Sequence, residues 1–134
     1  MKILIADDDY ANQRFMKKLF SYYGEVDVVG DGITAVEVFA GSLKEGSPYG
    51  VVCLDVMMTK LDGYKTLEAI REAEQKYAVP MRQRARVVML SALDEDVRGN
   101  LCVCDDYDLY LRKPVLVENF DQQMKKIGLE KQKV

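Results

Sequence analysis

Residues 51–55 read Val51-Val52-Cys53-Leu54-Asp55. Four apolar residues in a row leave no polar face to turn toward water, so the run suits a strand covered on both faces, and it ends at a carboxylate. The same pattern appears on either side. Lys2 to Ala6 (KILIA) stops at Asp7, Asp8 and Asp9, and Val87 to Leu90 (VVML) stops at Ser91-Ala92. Val26, Val28 and Val29 form a further strand, and Leu109 to Leu111 a fifth, ahead of a bend at Lys113-Pro114.

The segments between these runs have helical spacing. In YANQRFMKKLFSYYG, residues 10–24, Phe15, Leu19 and Tyr22 are predicted to share one face, and Gly24 is the stop. ITAVEVFA, residues 33–40, places Ile33, Val36 and Phe39 or Ala40 at three- and four-residue intervals, and the stretch from Gly41 to Gly50 is turn-rich. YKTLEAIREAEQKY has Leu67, Ile70 and Ala73 or Glu74 at its inner edge, with Glu68 and Glu72 against Arg71 and Lys76 outside. A weaker helix is expected from Asp94 to about Asn100, continuing through LCVC. VENFDQQMKKIG closes the chain with Val117, Phe120, Met124 and Ile127 on one face.

Five strands alternating with five helices define an α/β fold, a doubly wound parallel sheet with helices on both faces. Ligands of such sheets bind beyond the carboxyl ends of the strands. Those ends carry Asp7, Asp8 and Asp9, then Asp55, Ser91 and Lys113, so every candidate functional group converges on one edge. At 134 residues, without an internal repeat or a linker, residues 1–134 are expected to form a single domain with no output domain.

Composition narrows the chemistry. With 49% hydrophobic and 31% charged residues, the chain reads as an ordinary soluble protein, and no apolar run approaches the ~20 residues that span a bilayer. A cytoplasmic location is expected, with no membrane partner. The net charge of −3 gives no general attraction to nucleic acid. There is no histidine, which excludes a Ser-His-Asp or Cys-His site, a His-ligated zinc and a phosphohistidine carrier. Cys53, Cys102 and Cys104 form no CxxC pair and read as reduced thiols. No GxGxxG or GxxxxGK[ST] pattern supports dinucleotide or P-loop binding.

Carboxylates crowded at one edge repel each other unless a hard divalent cation sits among them, and magnesium suits such a site because it takes one or two carboxylates together with phosphate oxygens. Lys113 and Ser91 can supply a positive charge and a hydroxyl to phosphoryl oxygens. With histidine absent and no catalytic cysteine, a carboxylate is the best available nucleophile, and Asp55 would become an aspartyl phosphate. Taken singly, the three aspartates could equally be helix N-terminal acids that complement the dipole.

ILIADDD at strand one, LDVMMTKLDG at strand three, MLSA at strand four and YLRKP at strand five resemble the receiver domains of two-component response regulators, most closely the stand-alone chemotaxis type. The likeness covers nearly the whole chain and implies a flavodoxin-like strand order, 2-1-3-4-5. By position, Asp55 resembles the phosphoacceptor, Asp8 the direct magnesium ligand, Asp7 its partner acting largely through water, and Met57 the residue whose backbone carbonyl completes the metal site. Manganese would be a possible substitute for magnesium. Ser91 resembles the switch hydroxyl, Lys113 the lysine that pairs with the phosphoryl group, and Tyr110 the aromatic that changes rotamer.

The resemblance implies a regulatory phosphoacceptor that is not an enzyme beyond its own phosphoryl transfer and slow self-dephosphorylation. Its partners would be a sensor histidine kinase or histidine phosphotransfer protein and an unidentified downstream protein, reached through the face of the fourth helix, fifth strand and closing helix. The chain would be a monomer or a phosphorylation-dependent dimer. There are departures: Thr59 stands at the family's usual proline, Leu116 replaces a helix-capping Asp or Ser, and residues 41–51 and 78–86 look longer than the family's norm. Strand-DxD also resembles the haloacid-dehalogenase phosphatases, with Asp7 as nucleophile, Asp9 as acid, Ser91 and a lysine as phosphate contacts, and Asp105-Asp106 as metal ligands. A third reading is a receiver-like module that binds partners without phosphorylation.

Overall fold

The computed structural model describes residues 1–58, 60–92 and 107–132. Five parallel strands, β1 (Lys2–Ala6), β2 (Glu25–Val29), β3 (Val51–Asp55), β4 (Arg86–Ser91) and β5 (Leu109–Arg112), stand in the order β2-β1-β3-β4-β5. The register pairs Ile5 with Cys53, Leu54 with Met89 and Leu90 with Leu111, which aligns the carboxyl ends of β1, β3, β4 and β5 along one edge. Around the sheet lie α1 (Tyr10–Phe20), α2 (Gly32–Glu45), α3 (Gly63–Lys76), a 3₁₀ turn (Met81–Gln83) and the closing helix, here α4 (Val117–Lys126). The helix expected from Asp94, with Leu93, Cys102, Cys104, Asp105 and Asp106, lies outside the described residues.

Successive strand side chains point to opposite faces, and the core divides accordingly. Ile3, Ile5, Cys53, Val88 and Leu90 pack with Met16 and Phe20 of α1 and Phe120 and Met124 of α4. Leu4, Leu54, Val87 and Met89 pack with Phe39 of α2 and Leu67 and Ile70 of α3. Phe20 and Phe120 meet edge to face at 5.1 Å, joining α1 to α4 under the sheet. All five residues of β3 are buried, as its unbroken apolar run requires.

Several helix faces differ from expectation. In α1 the buried side chains are Met16, Leu19 and Phe20, while Phe15 and Tyr22 are exposed. Apolar residues occupy both candidate phases of that segment, and the phase that lets Phe20 reach Phe120 is adopted. The helix also ends at Phe20 rather than near Gly24. Gly24 instead lies where a Cβ would come 2.4 Å from the Met1 carbonyl oxygen. Ile33 and Val117 are exposed, with Ala35, Phe39 and Ser42 forming the inner edge of α2. α2 runs on through the stretch expected to be turn, as far as Glu45. It ends there because Gly46 takes the left-handed conformation, φ 75°, and its N–H bonds back to the Leu43 and Ser42 carbonyls.

Arg71, expected on the outer face of α3, is largely buried. It donates to Glu74 at 2.7 Å, to the Ala85 carbonyl at 2.9 Å and to Asp108 at 3.3 Å. Glu74, itself buried, accepts from the Ala85 N–H at 2.7 Å. A charge so placed is tolerated because its partners satisfy it, and the network fastens α3 to the start of β4. Leu116 sits at the N-cap of α4 without a side-chain bond, yet α4 begins on the next residue.

Candidate functional site

The carboxyl-end edge gathers the groups singled out in the sequence. Asp7 and Asp8 follow β1, Asp55 ends β3, Ser91 ends β4 and Lys113 follows β5. Asp7 and Asp55 are 0% and 4% exposed, and Ser91 is fully buried, whereas Asp8 faces solvent. One carboxylate oxygen from each of Asp7, Asp8 and Asp55 lies within 4.8 Å of the others. The Lys113 ammonium stands 3.1 Å from Asp55 Oδ2 and 3.8 Å from Asp7 Oδ2.

Backbone bonds hold these positions. The Val56 N–H donates to the Leu90 carbonyl at 2.8 Å and the Lys113 N–H to the Ser91 carbonyl at 2.8 Å, so β3, β4 and the residues after β5 are tied together at the edge. Asp55 Oδ1 accepts from the Met57 N–H at 3.1 Å, which turns the chain sharply after the strand. Lys113-Pro114 is a cis peptide bond. Asp7 Oδ1 accepts from the Asp9 N–H at 2.9 Å, and its other oxygen accepts from the Asn12 amide. Asp9 serves as the N-cap position of α1.

The electrostatics follow from this crowding. Burial raises the Asp55 carboxyl above its ordinary pKa, the neighbouring Asp7 charge raises it further, and Lys113 opposes both. The protein has thus collected more negative charge than one lysine offsets. Three hard oxygen donors around a shared point, two of them out of water, are a donor set that fits magnesium. Burial pushes the Cys53 thiol well above its usual value, as befits a small core residue rather than a nucleophile.

Sequence reasoning missed the supports. Gly63 opens α3 where a Cβ would lie 2.7 Å from the Asp55 carbonyl oxygen and 2.8 Å from Val56 Cα. Its N–H also donates to the Val56 carbonyl at 3.0 Å. Only glycine lets α3 approach the loop after Asp55 this closely. Gly32 has the same relation to that loop, its Cβ position falling 2.4 Å from the Leu61 carbonyl oxygen. The signal was present in Asp62-Gly63, since Asp62 is an N-cap, accepting from the Lys65 N–H at 2.9 Å, but a glycine just inside a helix usually reads as a weak position. Asn12 and Gln13, which hold Asp7, gave no sequence signal apart from their place one turn into α1.

This arrangement, three carboxylates and a lysine at the carboxyl-end edge of a 2-1-3-4-5 sheet, has relatives. The response regulator receiver domain family matches residues 3–125. The chain belongs to that family. A probable histidine kinase from Oryza sativa subsp. indica is 28% identical over 127 residues, which cover 86% of this chain and 12% of the kinase, so the chain spans a small part of that relative. Among solved structures, the receiver domain of a Francisella response regulator is 31% identical, with a TM-score of 0.67 over 89% of this chain and 88% of that one. The receiver domain of a Pseudomonas aeruginosa sensor histidine kinase, solved with a magnesium ion coordinated in its active-site cleft, is 26% identical. Its TM-score is 0.71, over 95% of this chain and 97% of that one. Among the described residues no helix is long and apolar enough to cross a membrane.

Proposed function

We propose that this receiver domain is a phosphorylation-controlled switch of a two-component system, with Asp55 as its phosphoacceptor. The observation that carries this reading is the placement of the Lys113 ammonium 3.1 Å from the carboxylate that two further carboxylates crowd. Asp7, Asp8, Asp55 and the Met57 backbone carbonyl would hold magnesium, with manganese as a substitute. When bound, the metal supplies charge neutralisation on the phosphoryl oxygens during transfer.

The donor is the phosphohistidine of a sensor histidine kinase or histidine phosphotransfer protein. An Asp55 carboxylate oxygen attacks phosphorus in line, the P–N bond to the imidazole breaks, and the freed imidazole takes a proton from solvent. Lys113 pairs with the transferring oxygens. Burial of Asp55 beneath the edge excludes competing water and fixes the direction of attack. The product carries about −1.5 to −2 charge, as other phosphorylated side chains do, and draws the Ser91 hydroxyl toward it.

Tyr110 is the second switch residue. Its ring packs against Tyr107 at 5.7 Å with its hydroxyl buried, so its rotamer is coupled to the packing beside β5. Phosphorylation then biases the face of β5 and α4 between two packings, and a downstream protein reads the difference. Exposed Leu116 and Val117 on that face offer apolar contact. The exposed Met57 side chain beside Asp55 offers no group to orient a hydrolytic water, so self-dephosphorylation is slow. The domain acts in the cytoplasm, where the kinase's phosphohistidine is presented.

The test is exposure to acetyl phosphate with magnesium, followed by intact mass. Wild type gains one phosphoryl group and Asp55→Asn gains none. Multiple turnover of the donor that survives in Asp55→Asn and is lost in Asp7→Asn would instead identify a phosphatase.

A further inference from the structure

The opposite edge of the sheet, where strands begin, carries a second constellation. Residues 81–86 read Met-Arg-Gln-Arg-Ala-Arg, three arginines within five positions in a chain of net charge −3. Arg82, Arg84 and Arg86 line one pocket with Arg71, Tyr107 and Asp108. Arg71 is already neutralised by Glu74 and Asp108, but Arg82 and Arg84 make no ion pair among the described residues, whereas the Arg86 guanidinium turns to the other face of the sheet, its Nη2 3.5 Å from the Cβ position of Gly128 after α4. Two guanidinium groups at one concavity, neither paired with a carboxylate among the described residues, suit an anionic partner.

On the other side of the same 3₁₀ turn lies an apolar pocket, walled by Leu43 and Pro48 from the end of α2 and by Tyr77, Val79 and Pro80 from the end of α3. The turn between them is pinned by the Gln83 N–H on the Pro80 carbonyl at 2.8 Å, and Met81 at its tip is 78% exposed. A cationic pocket and an apolar pocket thus flank one rigid ridge.

We infer that this ridge is a docking surface for a protein segment in which apolar side chains alternate with acidic ones. Its apolar residues enter the pocket of Leu43, Tyr77 and Pro80, and its carboxylates meet Arg82 and Arg84. The charge selects the partner, since a lone apolar groove would not distinguish sign and a lone arginine cluster would not hold an apolar anchor. The surface lies at the far end of the strands from Asp55, so docking here leaves the carboxylate cluster accessible. It tethers the domain to a partner independently of phosphorylation.

The experiment uses fluorescence anisotropy of a labelled peptide alternating Glu and Leu, titrated with the whole chain. The expected result is saturable binding that weakens as salt rises and falls at least tenfold with Arg82→Glu/Arg84→Glu. Arg82 is exposed and Arg84 half-buried, and circular dichroism with unchanged uptake of phosphoryl from acetyl phosphate verifies that the variant retains its fold. A peptide with Gln in place of Glu binds at least tenfold more weakly, and Asp55→Asn binds the Glu peptide like wild type. The proposal is overturned if the peptide does not bind, if the double variant or the Gln peptide binds equally well, or if phosphatidylserine vesicles or an oligonucleotide bind more tightly than the peptide.

Discussion

Gly63 and Gly41 illustrate how one residue type serves opposite ends. At Gly63 an added methyl group would sit 2.7 Å from the Asp55 carbonyl oxygen, which is backbone and cannot swing aside. Gly63→Ala therefore destabilises the domain by about 1–3 kcal/mol through overpacking and displaces the loop that carries Met57. Phosphoryl uptake falls with it. Gly41 lies within α2 with nothing inside 4 Å of its Cβ position, so Gly41→Ala stabilises by up to about 1 kcal/mol from helix propensity alone. Urea denaturation of the two variants checks the opposite signs. The acidic residues were legible in the sequence because their chemistry needs those side chains. Gly63 was not, because its role is to have none.

Among the elements, strands were easier to read than helix faces. β1, β3 and β4 are uninterrupted apolar runs with a polar stop, and each appears where its run lies. In α1 and the turn after it, apolar residues at 15, 16, 19, 20, 22 and 23 fit two phases, and only packing against α4 chooses between them. Arg71 reads as a surface charge until Glu74 and Asp108 are seen to enclose it. The start of α2 offers a test at this scale. Asp31 accepts from the Thr34 N–H at 2.8 Å, and that bond above all lowers its pKa, with Lys60 at 3.8 Å adding to it. The folded pKa is the lower one, so the unfolded chain binds more protons between the two values. The contribution is fully present above the ordinary carboxylate pKa of about 4 and is lost as pH falls through the folded value. Asp31→Ala lowers the melting temperature by a few degrees near neutral pH, and its difference from wild type narrows in acid. Thermal melts across pH 2–7 measure it, and a constant difference would contradict the assignment.

At the scale of the whole molecule, the carboxyl-end edge concentrates negative charge that folding alone does not balance. Burial in the two-sided core opposes the repulsion among Asp7, Asp8 and Asp55. Magnesium, binding only the folded chain, raises the melting temperature, by the equivalent of about 2.7 kcal/mol at a hundredfold excess over Kd. Asp8→Asn removes the exposed donor while keeping its shape, so the fold persists and the magnesium response shrinks. Equal magnesium-induced shifts in wild type and variant would place the metal elsewhere.

The identity of the nucleophile separates a receiver switch from a phosphatase. After reaction with acetyl phosphate and magnesium, borohydride reduction converts an acyl phosphate into an alcohol and marks the modified residue as homoserine. Peptide mapping is predicted to find homoserine at position 55 alone, dependent on magnesium. Homoserine at position 7, or none at any position, would rule out Asp55 as the phosphoacceptor.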